Sequence, residues 1–533
     1  MKKITAICAL AMAWLAAGMS LSAQNPYMPL WEYIPDGEPY VFEDPDCPGK
    51  ERVYVYGSHD SEITKYCGRE QVVWSAPVED LTNWRYDGII FRSDKDANGE
   101  NLLPDGRGDI LYAPDVAVKT DASGKKWYYL YPNNQSRGRN AQVCRSERPD
   151  GPFEVINWNA ENPKRNDGIL GFDPAVFVDD DGRVYGYWGF EESNGAELDP
   201  VLMDRVKEGT EIHKDMVSNY KQPGVFNFFE ASSMRKIDGK YVFIYSRKTQ
   251  EGEFGLPQTN YTLAYAYGDS PLGPWTYGGT LVDCRGRDTD AAGNVICTAN
   301  PYGNTHGSLA KVGDQWWLFY HRQCGTDEYS RQAMVSPVSV TVEPGKGGKV
   351  CITEAEYNSE GFRTEGLNPL YKTPAGLACY YTNPKGIGQD YPKFIFSGSY
   401  IKASRIDFDS YVGPFSQKQP LCPVINNTSG SVVGYKYFNF SEINKSKPVS
   451  LKLHMVNQSA GKISVLVGGP DTLRSGKVVA EIEVAGPSDG RMVETMVPCS
   501  GFSAISGKQP LFFSFTSEGG ESICEIYDFQ FVQ

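Results

Sequence analysis

Residues 181–189 read DGRVYGYWG, a Gly/Asp turn followed by a strand of alternating aromatics. Alternation at period two is the mark of a β-strand, and a turn directly before it makes a hairpin. The phrase recurs as PGKERVYVYGS (48–58), SGKKWYYLYP (123–132), DGKYVFIYS (238–246) and GDQWWLFYH (313–321). Its last aromatics, Tyr56, Tyr131, Tyr187, Tyr245 and Tyr320, stand 75, 56, 58 and 75 residues apart. Repeats at such spacing are how a propeller or solenoid announces itself in sequence.

Each phrase is preceded by a shorter strand carrying one polar group. These are PDGEPYVF with Asp36, YAPDVAV with Asp115, GFDPAVFV with Asp173, FFEASSMRK with Glu230 and NTHGSLAKV with His306. Third strands and closing turns follow in several repeats, as in TLAYAYGDSPLGPW (262–275). Five antiparallel units predict an all-β, five-bladed β-propeller whose first strands line a central channel. Asp beside Pro also favours turns. Five polar residues at equivalent places point instead to one shared location on the axis.

Bulk properties fit an exported chain of more than one domain. The chain has 533 residues, beyond the size at which one core keeps growing, so more than one domain is expected. Residues 1–23 read as a signal peptide: Lys2 and Lys3, an apolar run, then Leu21-Ser22-Ala23. The mature chain is expected in the periplasm or outside the cell, with no membrane span after removal of the leader. Net charge is −14, which gives no basic footprint for nucleic acid. Eleven Cys outside the leader are scattered without CxxC, which argues against a zinc site and a full disulfide framework, while one or two bridges stay open.

Carboxylates gathered in one channel suit glycosidic bond cleavage, which needs one protonated and one ionised partner. Glu230, beside Phe228 and Phe229, suits the general acid because apolar walls and like charges raise a pKa. Asp36 suits the general base, with Glu38 as its rival. Asp115 is expected to orient the acid and tune its proton affinity. Trp84, Trp188 and Trp317 are read chiefly as blade core, with Trp188 the best of them for a sugar-stacking wall.

On these residues, 27–345 resemble glycoside hydrolase family 43. The supporting motifs are Asp36 before Val41-Phe42, Ser58-His59-Asp60, Ala113-Pro114-Asp115, Glu230 before Gly239-Lys240-Tyr241, His306 in GNTHGS, and Tyr320-His321-Arg322. Two departures stand out: Asp36 is followed by Gly37 rather than Pro, and Glu230 by Ala231-Ser232 rather than Gly-Pro. The resemblance implies an inverting glycosidase that acts on plant-type glycans and needs no cofactor for its chemistry; the long inserts over 85–110, 191–225 and 284–303, placed to wall off one end of the channel, add the expectation of an exo-acting pocket. It favours an α-L-arabinofuranosidase, with β-xylosidase or galactan/arabinan action as the alternative. It also implies that Arg322 contacts the carbohydrate and that His306 stands near a water-mediated calcium; Trp188, Asp173 and His59 are further expected carbohydrate contacts. The different-class reading is a non-catalytic glycan-binding propeller.

The repeat ends near Val340. We expect a propeller over 24–349, a connecting segment over 350–395, and a jelly-roll-like β-sandwich over 396–533. The last rests on strands such as SLKLHMVN (450–457), KISVLVGG (462–469) and PLFFSFTS (510–517). GYKYFNF (434–440), GKISVLVGGP (461–470) and the terminal DFQF resemble carbohydrate-binding module family 6, which implies a second calcium and either a glycan ligand or a non-binding module that packs on the propeller.

Overall fold

The computed structural model describes residues 24–62, 64–404 and 421–533. The expected signal peptide lies outside them. Five separate antiparallel sheets follow one another in the order the repeat predicts. Their innermost strands are Glu38–Glu43, Asp115–Thr120, Ala175–Val178, Phe228–Ile237 and Ser308–Val312. Four blades have four strands each, and the fifth has three.

Each recurring phrase is the second strand of its blade, and its alternation divides the side chains between two blade interfaces. Val53 and Val55 pack with Phe319 and Val335 between blades 1 and 5. Tyr54 and Tyr56 pack with Val116 and Leu130 between blades 1 and 2. Trp84 and Trp317 lie in the first of these clusters, Trp188 in the blade 2–3 cluster. The ring is closed by the segment before blade 1. Asn25 exchanges hydrogen bonds with Val335 across 310 residues, its Nδ2 donating to the carbonyl and its Oδ1 accepting from the amide. Tyr27 and Trp31 are buried in the same seam.

The C-terminal part is a β-sandwich, as expected, and it begins earlier than the sequence suggested. Thr373–Pro374 pairs with the last strand, Cys524–Val532, and Tyr380–Thr382 is an edge strand beside Val432–Asn439. Residues 373–382 therefore belong to the sandwich. These strands are two and three residues long, too short to show a period. Leu451, Leu453 and Phe529 face Val433, Ile463 and Phe513 in a core continuous with that between blades 4 and 5. All eleven described cysteines are free thiols.

Candidate active site

Strand register sorts the channel side chains into tiers. Glu38 lies opposite Tyr56, Asp115 opposite Tyr131, and Ala175 opposite Tyr187. Two residues earlier in each blade, about 7 Å along the strand direction, come Asp36, Ala113 and Asp173. All three line a cavity of about 550 Å³, together with Glu230, His306 and Arg331. Glu38 and Asp115 occupy the next tier and are not on its wall.

Asp36 is buried, with φ +61°, a conformation Asp tolerates better than most residues. Its amide donates to His321 Nδ1 at 3.1 Å, and the Ser58 hydroxyl donates to Oδ2. Arg331 Nη1 reaches Oδ1 at 3.2 Å and Oδ2 at 3.3 Å. Burial alone would raise the pKa. The Arg331 guanidinium first, then the neighbouring His321 and His306 rings and the Ser58 hydroxyl, outweigh it and hold the carboxyl below its ordinary range. His321, pushed down to about 4 by burial, is a neutral ring with Nε2 2.8 Å from the Asn304 carbonyl.

Glu230 sits at an irregularity in blade 4, where pairing shifts on both sides of it and Ala231 has φ +67°. Bulges commonly re-aim a side chain at an active site. Burial, then the charges of Asp173 and Asp36, push its pKa well above the ordinary carboxylate value. Asp173 supports the bulge by accepting from the Ala231 amide at 3.0 Å, and from Asn133 Nδ2 at 2.9 Å on its other oxygen. Burial and the nearby Asp36 charge raise Asp173 to about 6. One cavity thus holds two carboxyls whose pKa values are displaced in opposite directions.

A family model described as "Glycosyl hydrolases family 43" matches residues 41–343. The chain belongs to glycosyl hydrolase family 43. It is therefore a glycoside hydrolase, as its channel carboxyls suggested. Among curated relatives, a "Xylosidase/arabinosidase" of Thermoclostridium stercorarium is 29% identical over 526 residues, covering 94% of this chain and 97% of that one. An "Arabinoxylan arabinofuranohydrolase" of Paenibacillus polymyxa is 27% identical over 420 residues, covering 71% and 59%. A solved family 43 arabinoxylan arabinofuranohydrolase from Bacillus subtilis covers 97% of this chain and 100% of its own, at 22% identity and a TM-score of 0.44.

Within this family 43 propeller, several expected site residues stand elsewhere. Asp115 is locked from three sides: by the Tyr40 hydroxyl at 2.6 Å, its neighbour's amide at Val116 at 2.7 Å, and the Val176 amide at 2.6 Å. None of these bonds reaches the acid, whereas Asp173 accepts from the amide of Ala231 beside Glu230. Arg322 is fully buried and donates to the carbonyls of Gly376 and Ala378 at the start of the sandwich, so it joins two parts of the fold rather than meeting substrate. His59 is clamped between Glu32 and Glu70 at 3.1 and 3.0 Å. Trp188 packs among Leu170, Val184 and Leu198, away from the cavity.

His306 does reach the cavity. Its ring lies 3.7 Å from Glu38 Oε1 and 3.8 Å from Asp173 Oδ2. Burial would lower its pKa, but Glu38, Asp173 and Asp36 raise it to about 9. Among the described residues no three His, Cys, Asp or Glu side chains are grouped to bind a metal ion directly.

Phe229 lines the cavity as the sequence suggested, while Arg331 and the other wall aromatics, Tyr112, Phe172 and Phe190, were not legible there. Arg331 had one visible signal, a charged residue opening the strand RQAMVSPV after the last repeat.

Proposed function

We propose that Asp36 is the general base and Glu230 the general acid of an inverting exo-hydrolase, with Asp173 tuning the acid. The observation that carries this reading is the opposed displacement of the two carboxyl pKa values within one cavity. Asp36 takes a proton from water as its oxygen attacks the anomeric carbon. Glu230 gives its proton to the departing glycosidic oxygen. The anomeric C–O bond breaks as the new one forms, and solvent then returns each carboxyl to its starting state. This displacement needs no cofactor.

The substrate is a terminal α-L-arabinofuranosyl or β-D-xylosyl unit of an arabinoxylan-type glycan, with arabinofuranoside favoured. The names of the two curated relatives support that choice. Residues 1–23 serve export to the periplasm or beyond, and the sandwich acts as a glycan-binding module like those of family 6. The test is hydrolysis of aryl α-L-arabinofuranoside and aryl β-D-xyloside, with the anomer of the first product followed by NMR. Inverted sugar from wild type and little turnover by Glu230→Ala is expected. Retained configuration, or inertness on both substrates, overturns the reading.

A further inference from the structure

The cavity wall is not made by the propeller alone. Gln389 and Tyr391 also line it. They belong to a hairpin, Ile387–Asp390 with Lys393–Phe396, that lies between two sandwich strands in sequence. Tyr391 is at its tip, where Asp390 pairs with Lys393 across a two-residue turn, and the residue is 69% exposed.

A lone exposed tyrosine is ordinary. This one differs because its support is fixed. The Phe394 amide donates to the Thr326 carbonyl at 2.9 Å, Asp327 bridges to Lys393, and Phe394 is buried. Gln389 Nε2 donates to Glu328 Oε1 at 3.0 Å, and the Tyr66 hydroxyl donates to the other Glu328 oxygen. The Arg331 guanidinium stands 5.1 Å from the Tyr66 ring centre, and Arg331 holds Asp36. The hairpin is thereby tied, contact by contact, to the wall that carries the candidate base.

We infer that Tyr391 is a specificity-determining residue: it forms a subsite for the sugar on the leaving-group side of the scissile bond. Its ring offers a flat apolar face to a pyranose, and its hydroxyl stays in water. The ligand class is an oligosaccharide with at least one pyranose beyond the bond cut. This rests on the proposed reaction.

Calorimetry tests it without turnover, with Glu230→Gln as the background. The probes are an arabinose-substituted xylo-oligosaccharide, free arabinose and free xylose. Adding Tyr391→Ala should weaken oligosaccharide binding by about three- to tenfold and leave the monosaccharides unaffected. Tyr391→Phe should keep the affinity, and matching melting curves exclude a folding defect. Equal oligosaccharide affinity with and without the ring, or an equal loss for the monosaccharides, overturns the inference. Failure of the proposed reaction shows separately, as wild type inert on both aryl glycosides.

Discussion

Arg331 Nη1 lies within 3.3 Å of both carboxylate oxygens of Asp36, while Nη2 of the same guanidinium lies 2.8 Å from Asp60 Oδ1. One buried cation thus serves two buried carboxylates, and it keeps Asp36 ionised where burial would protonate it. The Ser58 hydroxyl adds to this without bearing charge. Ser58→Ala should move the acidic limb of the kcat/KM profile to higher pH, because Asp36 then loses its charge earlier. The check is the pH profile on an aryl glycoside; an unmoved acidic limb counts against Asp36 as base.

The alkaline limb reports the acid. Asp173 raises Glu230 through its charge, so Asp173→Asn should lower the Glu230 pKa and bring the alkaline limb to lower pH. Asp115→Asn should leave that limb in place. The two profiles, measured side by side, decide which aspartate tunes the acid.

That distinction shows how far the sequence could be read. The aromatic alternation fixed the blades, because a period of two admits one pleat and turns bound each strand. It brought Asp36, Asp173, Glu230 and His306 to one cavity. It misplaced Asp115 because depth along the channel depends on cross-strand register: Asp115 itself lies opposite Tyr131, whereas Asp36 stands two residues before Glu38, the residue opposite Tyr56. Arg331 meets Asp36 across 295 residues with no motif to join them. Gln389 and Tyr391 come from outside the repeat altogether.

Arg322 should matter for stability rather than turnover. Arg322→Ala leaves the carbonyls of Gly376 and Ala378 and the Gln332 amide oxygen without their buried donor. A loss of about 3 kcal/mol or more is expected, read as a lower denaturation midpoint, with kcat/KM of the folded enzyme unchanged. A selective rise in KM without destabilisation would return Arg322 to the substrate site.

His59 gives stability a pH dependence of known sign. Burial would lower its pKa, but Glu32 and Glu70 raise it from 6.5 to about 10. Its contribution is complete below about pH 6.5 and is lost as pH rises through about 10. The melting temperature should fall across that window, and His59→Gln should flatten the fall. A wild-type curve as flat as the variant's would contradict a charged His59.

The role of Glu230 as acid is tested most directly by leaving-group dependence. Wild type and Glu230→Ala are compared on aryl glycosides whose phenols span a range of acidity. The account predicts a loss of about 10²–10⁴-fold on the least acidic phenol, shrinking steadily as the phenol becomes acidic enough to leave without a proton. An equal loss on every substrate would contradict it and leave Glu230 as a binding or structural residue.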